Sequence, residues 1–253
     1  MAGGEIVGSP ALDGLVGVGV VPPQRAVNQV ADLVVAGLYV PAGPGSEPVA
    51  GDFYDVLELN DDLIALVVGD VAGHGLGAVD RMRQLRAAAR AYALEQRGPP
   101  SVLERLDRFV ERTAEEAFAT LWYGEYRPRS GTLTYGSAGH LPPALHVDGG
   151  VRLLAEADAP PLGTGMGHAL ATERTEALPP GAVLVGYSDG LVERRRADID
   201  AQLSLLVSTV QQACDPARSA EPANIAQETL DALVPDRDRA EDDICILVVR
   251  RQP

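Results

Sequence analysis

The sequence predicts an α+β domain with antiparallel β-sheets at its centre and α-helices on the outside. Short apolar or alternating runs, which are typical of strands, lead the chain, and helical patterns come in pairs between them. The strand–helix–strand alternation that builds parallel sheets is missing from the sequence. Turn sequences such as Asp148-Gly149-Gly150 join neighbouring strand-like runs, which favours antiparallel meanders.

The first 24 residues differ from the rest of the chain. They are rich in glycine, valine and proline and show neither a helical nor a strand period. We therefore predict a leader or linker over residues 1–24 and a single domain over residues 25–253. The predicted strands are 33–40, 53–59, 63–68, 119–126, 132–135, 144–147, 151–154, 182–188 and 244–249, with a hairpin across residues 60–62.

Helical periodicity predicts four helices. In the first, over residues 77–96, apolar residues lie on one face and arginines on the other. Ser101 is expected to cap the second helix, because Glu104 stands in the capping-box position. The other two helices are predicted near residues 201–213 and 223–233.

The composition excludes several classes of function. The chain has 36 acidic and 21 basic residues and a formal charge of −15, opposite in sign to that of proteins that bind nucleic acids or anionic membranes. All 21 basic residues are arginine, and the absence of lysine excludes P-loop NTPases, protein kinases and Schiff-base enzymes. Two cysteines cannot build a zinc ribbon or a disulfide framework, and no apolar run approaches the ~20 residues of a membrane span. We expect a cytoplasmic protein that binds neither nucleic acid nor membrane.

Three short motifs point to other chemistries, and each lacks something that it needs. The sequence Gly-Tyr-Ser-Asp-Gly at 186–190 fits the nucleophile elbow of serine hydrolases, but all histidines precede Ser188, whereas that fold places its histidine after the serine. Residues 73–78 match a dinucleotide-binding pattern, but two helices follow where a second parallel strand is required. Cys245 and Arg251 have the spacing of a cysteine-phosphatase loop, but the residues between them form an apolar strand. Cys245 is therefore predicted to be a core residue.

Aspartates at strand ends point more directly to chemistry. Asp52, Asp70 and Asp189 each stand where a buried strand meets a glycine-rich or polar turn, and the pair Asp242-Asp243 precedes the last strand. Any one of them is explained by the general preference of aspartate for turns. Several carboxylates that converge at one end of a sheet repel each other unless a cation neutralises them. Oxygen ligands with few histidines select Mg²⁺ or Mn²⁺.

Seven sequence blocks that include these aspartates follow one another in a recognisable order. They are GDFYD at 51–55, GDVAGHG at 69–75, FATL at 118–121, SAGHLPP at 137–143, PPLG at 160–163, YSDGLVE at 187–193 and DDI at 242–244. The set resembles the PPM (protein phosphatase 2C-like) serine/threonine phosphatases, in their SpoIIE/RsbU-like bacterial branch. The resemblance implies a sandwich of two antiparallel β-sheets flanked by α-helices, with a site for two Mn²⁺ or Mg²⁺ ions at one end.

The resemblance also implies roles for individual residues. Asp70 corresponds to the carboxylate that bridges both metals, and the Val71 carbonyl to a backbone ligand. Asp189 and Asp242 correspond to carboxylates of one metal. Asp52 corresponds to an acidic residue that supports the other metal directly or through water. Asp70 and Asp189 are thus expected to be catalytic through the metal-bound water.

Other residues in the same blocks are expected to have supporting roles. Asp243 is the weaker candidate of the final pair, and Asp55 is expected to stabilise its loop. His74 and His140 invite a role as general acids, but structural roles are favoured for both. The arginines at 194–196 form either a solvated charge run or a substrate-docking edge.

The function implied by the resemblance is that of a protein serine/threonine phosphatase, in which a metal-activated water attacks phosphorus in line. Serine at 188 and cysteine at 245, where the family commonly has threonine, remove no ligand. The implied substrate is a phosphorylated STAS-domain anti-anti-sigma protein, whose dephosphorylation releases a sigma factor. Two alternatives stay open, namely a catalytically weak scaffold that binds such a protein and a phosphohydrolase of small molecules. A homodimer is also left open.

The predicted first helix leaves directly from the loop that follows Asp70. A rigid helix in this position transmits small rotations to the metal ligands. The family resemblance implies that this helix and the second one act as a switch that completes the metal site when a partner or sensor docks. We therefore expect the isolated domain to have weak basal activity, limited by its affinity for metal and partly rescued by millimolar Mn²⁺.

Overall fold

The computed structural model of this protein describes residues 26–41, 51–73, 75–113, 118–166, 172–193, 197–215, 218, 221–236, 240 and 242–253. The leader predicted over residues 1–24, His74 and the arginines at 194–196 lie outside the described residues. None of the helices in the described part of the chain has both the length and the apolar composition needed to cross a membrane.

Twelve strands are present in the described residues, and they form two β-sheets. In chain order the strands are β1 (Ala26–Val30), β2 (Leu33–Val40), β3 (Phe53–Asn60), β4 (Leu63–Val71), β5 (Ala119–Arg127), β6 (Thr132–Ala138), β7 (Ala144–Val147), β8 (Gly150–Leu153), β9 (Asp158–Ala159), β10 (Arg174–Ala177), β11 (Val183–Tyr187) and β12 (Ile244–Arg251). The first sheet has the order β1-β2-β12-β11-β7-β8 and the second the order β10-β6-β5-β4-β3, with β9 beside β6.

The pairing of the described strands is antiparallel except between β9 and β6. The predicted hairpin across residues 60–62 is confirmed as the connection between β3 and β4. The α+β fold class with antiparallel sheets is therefore confirmed.

Successive side chains along each strand point to opposite faces of its sheet, which produces one inner core between the sheets and two outer cores under the helices. In β4, Leu66 and Val68 pack in the core between the two sheets, whereas Val67 packs under helices on the outer face. In β11, Leu184 belongs to the inner core and Val185 to the outer core of the other sheet. The molecule is therefore layered as helices, sheet, sheet and helices.

Four α-helices cover the outer faces of the sheets in the described residues: α1 (Leu76–Ala93), α2 (Pro99–Thr113), α3 (Ile199–Ala213) and α4 (Pro222–Leu233). The first two bury their apolar faces on the second sheet, and α3 and α4 do so on the first. The prediction that Ser101 caps α2 was wrong, because the helix begins at Pro99. Proline is well suited to the first turn of a helix, where its missing N–H leaves no bond unmade.

Candidate metal centre

The two sheets bring three aspartates together at one end of the inner core. Phe53 pairs with Gly69 in the β3–β4 ladder, so Asp52 and Asp70 lie opposite each other at the end of that sheet. Asp189 follows β11 of the other sheet and begins a short 3₁₀ helix. One carboxylate oxygen from each of Asp52, Asp70 and Asp189 lies within 4.8 Å of the other two. The structure thus assembles three residues that stand far apart in the chain.

Close backbone approach at two glycines makes this arrangement possible. A Cβ atom at Gly51 would lie 2.1 Å from the carbonyl oxygen of Val71, so a side chain at this position would displace that carbonyl. A Cβ atom at Gly190 would lie 2.1 Å from the carbonyl oxygen of Asp243. The first contact places the Val71 carbonyl beside Asp52, and the second places the Asp242-Asp243 segment beside Asp189.

Burial and the charges of neighbouring carboxylates raise the pKa of each of the three carboxyl groups. For Asp52, burial raises the pKa most, the charge of Asp70 raises it further, and a hydrogen bond from the Ser188 hydroxyl lowers it. Burial, followed by the charges of Asp70 and Asp242, raises the pKa of Asp189 to about 7. Each of the three groups therefore releases its proton at a higher pH than an unburied aspartate does.

Further acidic residues add to the negative charge of this centre. Burial raises the pKa of Asp70, and the hydrogen bond with Asp52 opposes this shift. The charges of Asp242, Asp243 and Glu193 then raise it again. Glu193 is a contributor that the strand-end pattern did not indicate, because it follows Asp189 by four residues and lies outside the strand end.

Two oxygen atoms at the centre are buried without a hydrogen-bond partner among the described residues. They are Oδ2 of Asp52 and Oδ1 of Asp189. Buried carboxylate oxygens normally have a hydrogen-bond partner or a metal. Hard divalent cations prefer oxygen ligands of this kind. The residues present therefore fit a Mg²⁺ or Mn²⁺ site.

Asp242 lies beside the cluster of Asp52, Asp70 and Asp189 but is not a member of it. Its side chain is exposed, and its Oδ1 accepts a hydrogen bond of 2.8 Å from the backbone N–H of Asp243. Its charge nevertheless acts on Asp70 and Asp189. The role of Asp242 as a metal ligand stays a prediction, as does that of the Val71 carbonyl.

Ser188 is hydrogen-bonded to Asp52 of the metal centre. It is fully buried, and its hydroxyl accepts a hydrogen bond of 2.9 Å from the backbone N–H of Cys245 while donating to Asp52. A hydroxyl engaged in this way serves to orient a carboxylate. Cys245 is itself fully buried in the inner core, as predicted, and lies within a strand. Neither residue has the surroundings of a nucleophile.

Asp55 has a different role from the one predicted. It is buried in β3, and it accepts hydrogen bonds from Nε of Arg86 at 3.0 Å and from Nε and Nη2 of Arg90 at 2.6 and 2.8 Å. Both arginines belong to α1. Asp55 therefore fastens α1 to the sheet that carries Asp52 and Asp70, rather than stabilising a loop.

The fold that carries this acidic centre is the PP2C-like α+β fold. The structure of the RsbU and RsbW domains of Rv1364c from Mycobacterium tuberculosis matches with a TM-score of 0.76 and 31% identity, over 93% of this chain and 63% of that one. The PP2C phosphatase domain of SpoIIE from Bacillus subtilis matches with a TM-score of 0.71 and 18% identity, over 90% of this chain and 64% of that one.

The chain belongs to the SpoIIE family, because the family model described as Stage II sporulation protein E matches residues 60–252. Phosphoserine phosphatase RsbU of Bacillus subtilis (strain 168) is 25% identical over 230 residues, which are 89% of this chain and 65% of RsbU. The chain spans between 27% and 65% of the length of the curated relatives named IcfG, RsbP and RsbU. The resemblance to PPM phosphatases is confirmed.

Proposed function

We propose that this chain is a metal-dependent protein serine/threonine phosphatase that uses Mn²⁺ or Mg²⁺. The observation that carries the proposal is the convergence of Asp52, Asp70 and Asp189, with two of their buried oxygens unpartnered among the described residues. Membership of the SpoIIE family supports the same activity. Residues 25–253 are proposed to form the catalytic domain.

The residues proposed to hold two ions are Asp70 and the Val71 carbonyl, Asp189 with Asp242, and Asp52. Divalent cations bound there supply an activated water and neutralise the phosphate oxygens. The chain's own contribution begins with proton release, because the carboxyl groups of Asp52 and Asp70 share a hydrogen bond and must both be ionised to bind metal. The hydrogen bond from Ser188 favours the ionised form of Asp52 and fixes its orientation.

The proposed substrate is phosphoserine or phosphothreonine on a STAS-domain protein of the partner-switching type. RsbU, a relative over most of this chain, is named a phosphoserine phosphatase. Two exposed apolar side chains near the loop after Asp70 are also consistent with a protein substrate: Leu76, which begins α1, is 74% exposed, and Phe118, which precedes β5, is 49% exposed. Phe118 is hydrogen-bonded to the loop that follows Asp70, since its carbonyl accepts a hydrogen bond of 3.0 Å from the N–H of Ala72. We propose that these two side chains take part in the surface that the protein substrate contacts.

The experiment compares three substrates: a phosphorylated STAS-domain protein, an aryl phosphate and a set of free phosphometabolites. Each is incubated with the chain in Mn²⁺ and in EDTA, and phosphate release is measured. We expect Mn²⁺-dependent release with the highest kcat/KM on the phosphoprotein. Release from metabolites but not from phosphoprotein contradicts the proposed substrate class. Binding of the phosphoprotein without release from any substrate identifies a scaffold.

A further inference from the structure

His140 joins the two sheets at the end that carries the metal centre. It lies in the loop after β6 and is 7% exposed. Its Nδ1 lies 2.8 Å from Oγ1 of Thr120, which belongs to β5 of the second sheet. Its Nε2 lies 3.1 Å from the carbonyl oxygen of Tyr187, which ends β11 of the first sheet. One side chain thus contacts both sheets.

The partners of His140 fix its protonation state. A carbonyl oxygen only accepts hydrogen bonds, so Nε2 carries the proton and donates to Tyr187. Burial lowers the pKa of His140 to about 4, although the bond to Tyr187 opposes this shift, so the ring is neutral at physiological pH. Nδ1 therefore accepts the hydrogen bond from the Thr120 hydroxyl. Both nitrogens are occupied, which leaves neither of them for metal binding or proton transfer.

The two contacts of His140 fall next to two of the proposed metal ligands. Thr120 is the antiparallel partner of Asp70 in the β4–β5 ladder. Directly opposite residues of a ladder share one face of the sheet, with Cβ atoms about 5 Å apart. Tyr187 precedes Asp189 by two residues. His140 therefore links the neighbour of Asp70 on one sheet to the segment that leads into Asp189 on the other.

We propose that His140 and Thr120 are positioning residues that set the separation between the carboxylates of Asp70 and Asp189. Each carboxylate is carried by a different sheet, so the gap between the sheets at this end decides whether both reach the same ions. Ligands held at the correct separation bind metal more tightly, because less free energy is spent on ordering them. The proposal rests on the proposed metal function of this centre.

A second polar link between the sheets provides a matched control. The hydroxyl of Tyr126, near the other end of β5, donates a hydrogen bond of 2.9 Å to Oδ2 of Asp32. Asp32 also accepts a hydrogen bond of 2.8 Å from Nε of Arg251. Tyr126 lies six residues beyond Thr120, about 20 Å along the strand. Loss of this link affects the stability of the sandwich but not the metal centre.

The experiment measures Mn²⁺ binding by isothermal titration calorimetry, and the melting temperature without metal, for the full chain. The variants are Thr120→Val, Thr120→Ser, His140→Gln and Tyr126→Phe. Valine removes the hydroxyl of Thr120 at nearly constant volume, whereas serine keeps it. We expect Thr120→Val and His140→Gln to weaken Mn²⁺ binding about tenfold, as is typical when the residues that orient metal ligands are changed. Thr120→Ser should restore wild-type binding.

The control separates positioning from stability. Tyr126→Phe should lower the melting temperature and leave Mn²⁺ binding unchanged. If Thr120→Val lowers the melting temperature but binds Mn²⁺ as tightly as wild type, His140 is a structural link only and the inference is overturned. If His140→Gln does not fold, the comparison of Thr120→Val with Thr120→Ser decides the question alone. Failure of the wild-type chain to bind Mn²⁺ overturns the proposed function together with this inference.

Discussion

The carboxyl groups of Asp70 and Asp189 carry the chemistry in this account. In each of them, one carboxylate oxygen lies within 4.8 Å of a carboxylate oxygen of the other and of Asp52. This proximity is unfavourable unless a cation or a proton neutralises the charge. Replacing either by asparagine removes a charge that metal binding needs and also removes repulsion from the metal-free fold. The same substitution is therefore expected to act in opposite directions on activity and on stability.

We expect Asp70→Asn and Asp189→Asn each to lower the Mn²⁺-dependent kcat by more than about tenfold, because an amide is a far weaker ligand than a carboxylate. The melting temperature in EDTA should be unchanged or higher. Rates on an aryl phosphate at saturating Mn²⁺ and thermal unfolding in EDTA check both statements. A variant that keeps more than about a tenth of the wild-type kcat contradicts the assignment of its residue.

The raised pKa values predict how metal stabilisation depends on pH. Because burial raises the pKa of Asp189 from 3.8 to about 7, the metal-free fold binds more protons than the unfolded chain between these values. Its free energy of unfolding therefore falls as pH rises through that range. Mn²⁺ must displace those protons, so the increase in melting temperature caused by Mn²⁺ should be larger at about pH 7.5 than at about pH 5.5.

Calorimetric unfolding with Mn²⁺ and with EDTA at each pH measures this effect. The difference between the two conditions cancels the contribution of groups remote from the centre. Asp189→Asn should flatten the pH dependence. An increment that is the same at both pH values contradicts the raised pKa of the centre.

At the scale of elements, α1 is fastened to the sheet by ionic contacts. The side chain of Asp55 is 2% exposed, and those of Arg86 and Arg90 are 14% and 34% exposed. Asp55→Asn removes the carboxylate charge that two partly buried guanidinium groups share. We expect a loss of about 2 to 3 kcal/mol in the free energy of unfolding, below the full value for a completely buried pair.

Urea denaturation measures this loss against a surface control. Asp62 pairs at 3.9 Å with Arg129, whose side chain is 78% exposed, so Asp62→Asn should cost less than about 1 kcal/mol. Equal losses for the two substitutions contradict the anchoring role of Asp55.

The packing of α1 also bears on the predicted switch. Met82 and Leu85 are buried in the same cluster as Val71, whose carbonyl is a proposed ligand. Met82→Ala and Leu85→Ala should therefore raise the Mn²⁺ concentration needed for half-maximal rate more than they lower the rate at saturation. Leu230→Ala in α4, equally buried but packed on the other sheet, is the control. If all four Mn²⁺ titration curves share one midpoint, α1 contributes core packing only.

The elements that could be predicted from sequence are those with a strong apolar period. The strands β2 and β7 match their predicted bounds, and the others with such a period differ by a few residues. Three strands were not predicted, namely β1, β9 and β10. The last two are short, and β10 is mostly exposed. Short segments of this kind become strands because a neighbouring strand forms backbone hydrogen bonds with them. This is a tertiary effect, so the local pattern of apolar residues does not predict it.

At the scale of the whole molecule, the candidate site was predictable to the extent that it follows from strand ends. Asp52, Asp70 and Asp189 mark such ends, and the structure places them together. The contribution of Glu193 and the link made by His140 depend on how two sheets stack. Stacking of the two sheets brings together residues that are far apart in the sequence, so their contacts cannot be predicted from sequence spacing.

The most direct test of the metal centre is the anomalous scattering of manganese in crystals grown with Mn²⁺. We expect strong anomalous density between the carboxylates of Asp52, Asp70 and Asp189, extending toward the Val71 carbonyl or Asp242 as further ligands. Its absence in Asp70→Asn crystals grown in the same way would confirm that the density belongs to this centre. Anomalous density confined to other parts of the surface, with the three carboxylates free of metal, would show that these aspartates are not metal ligands.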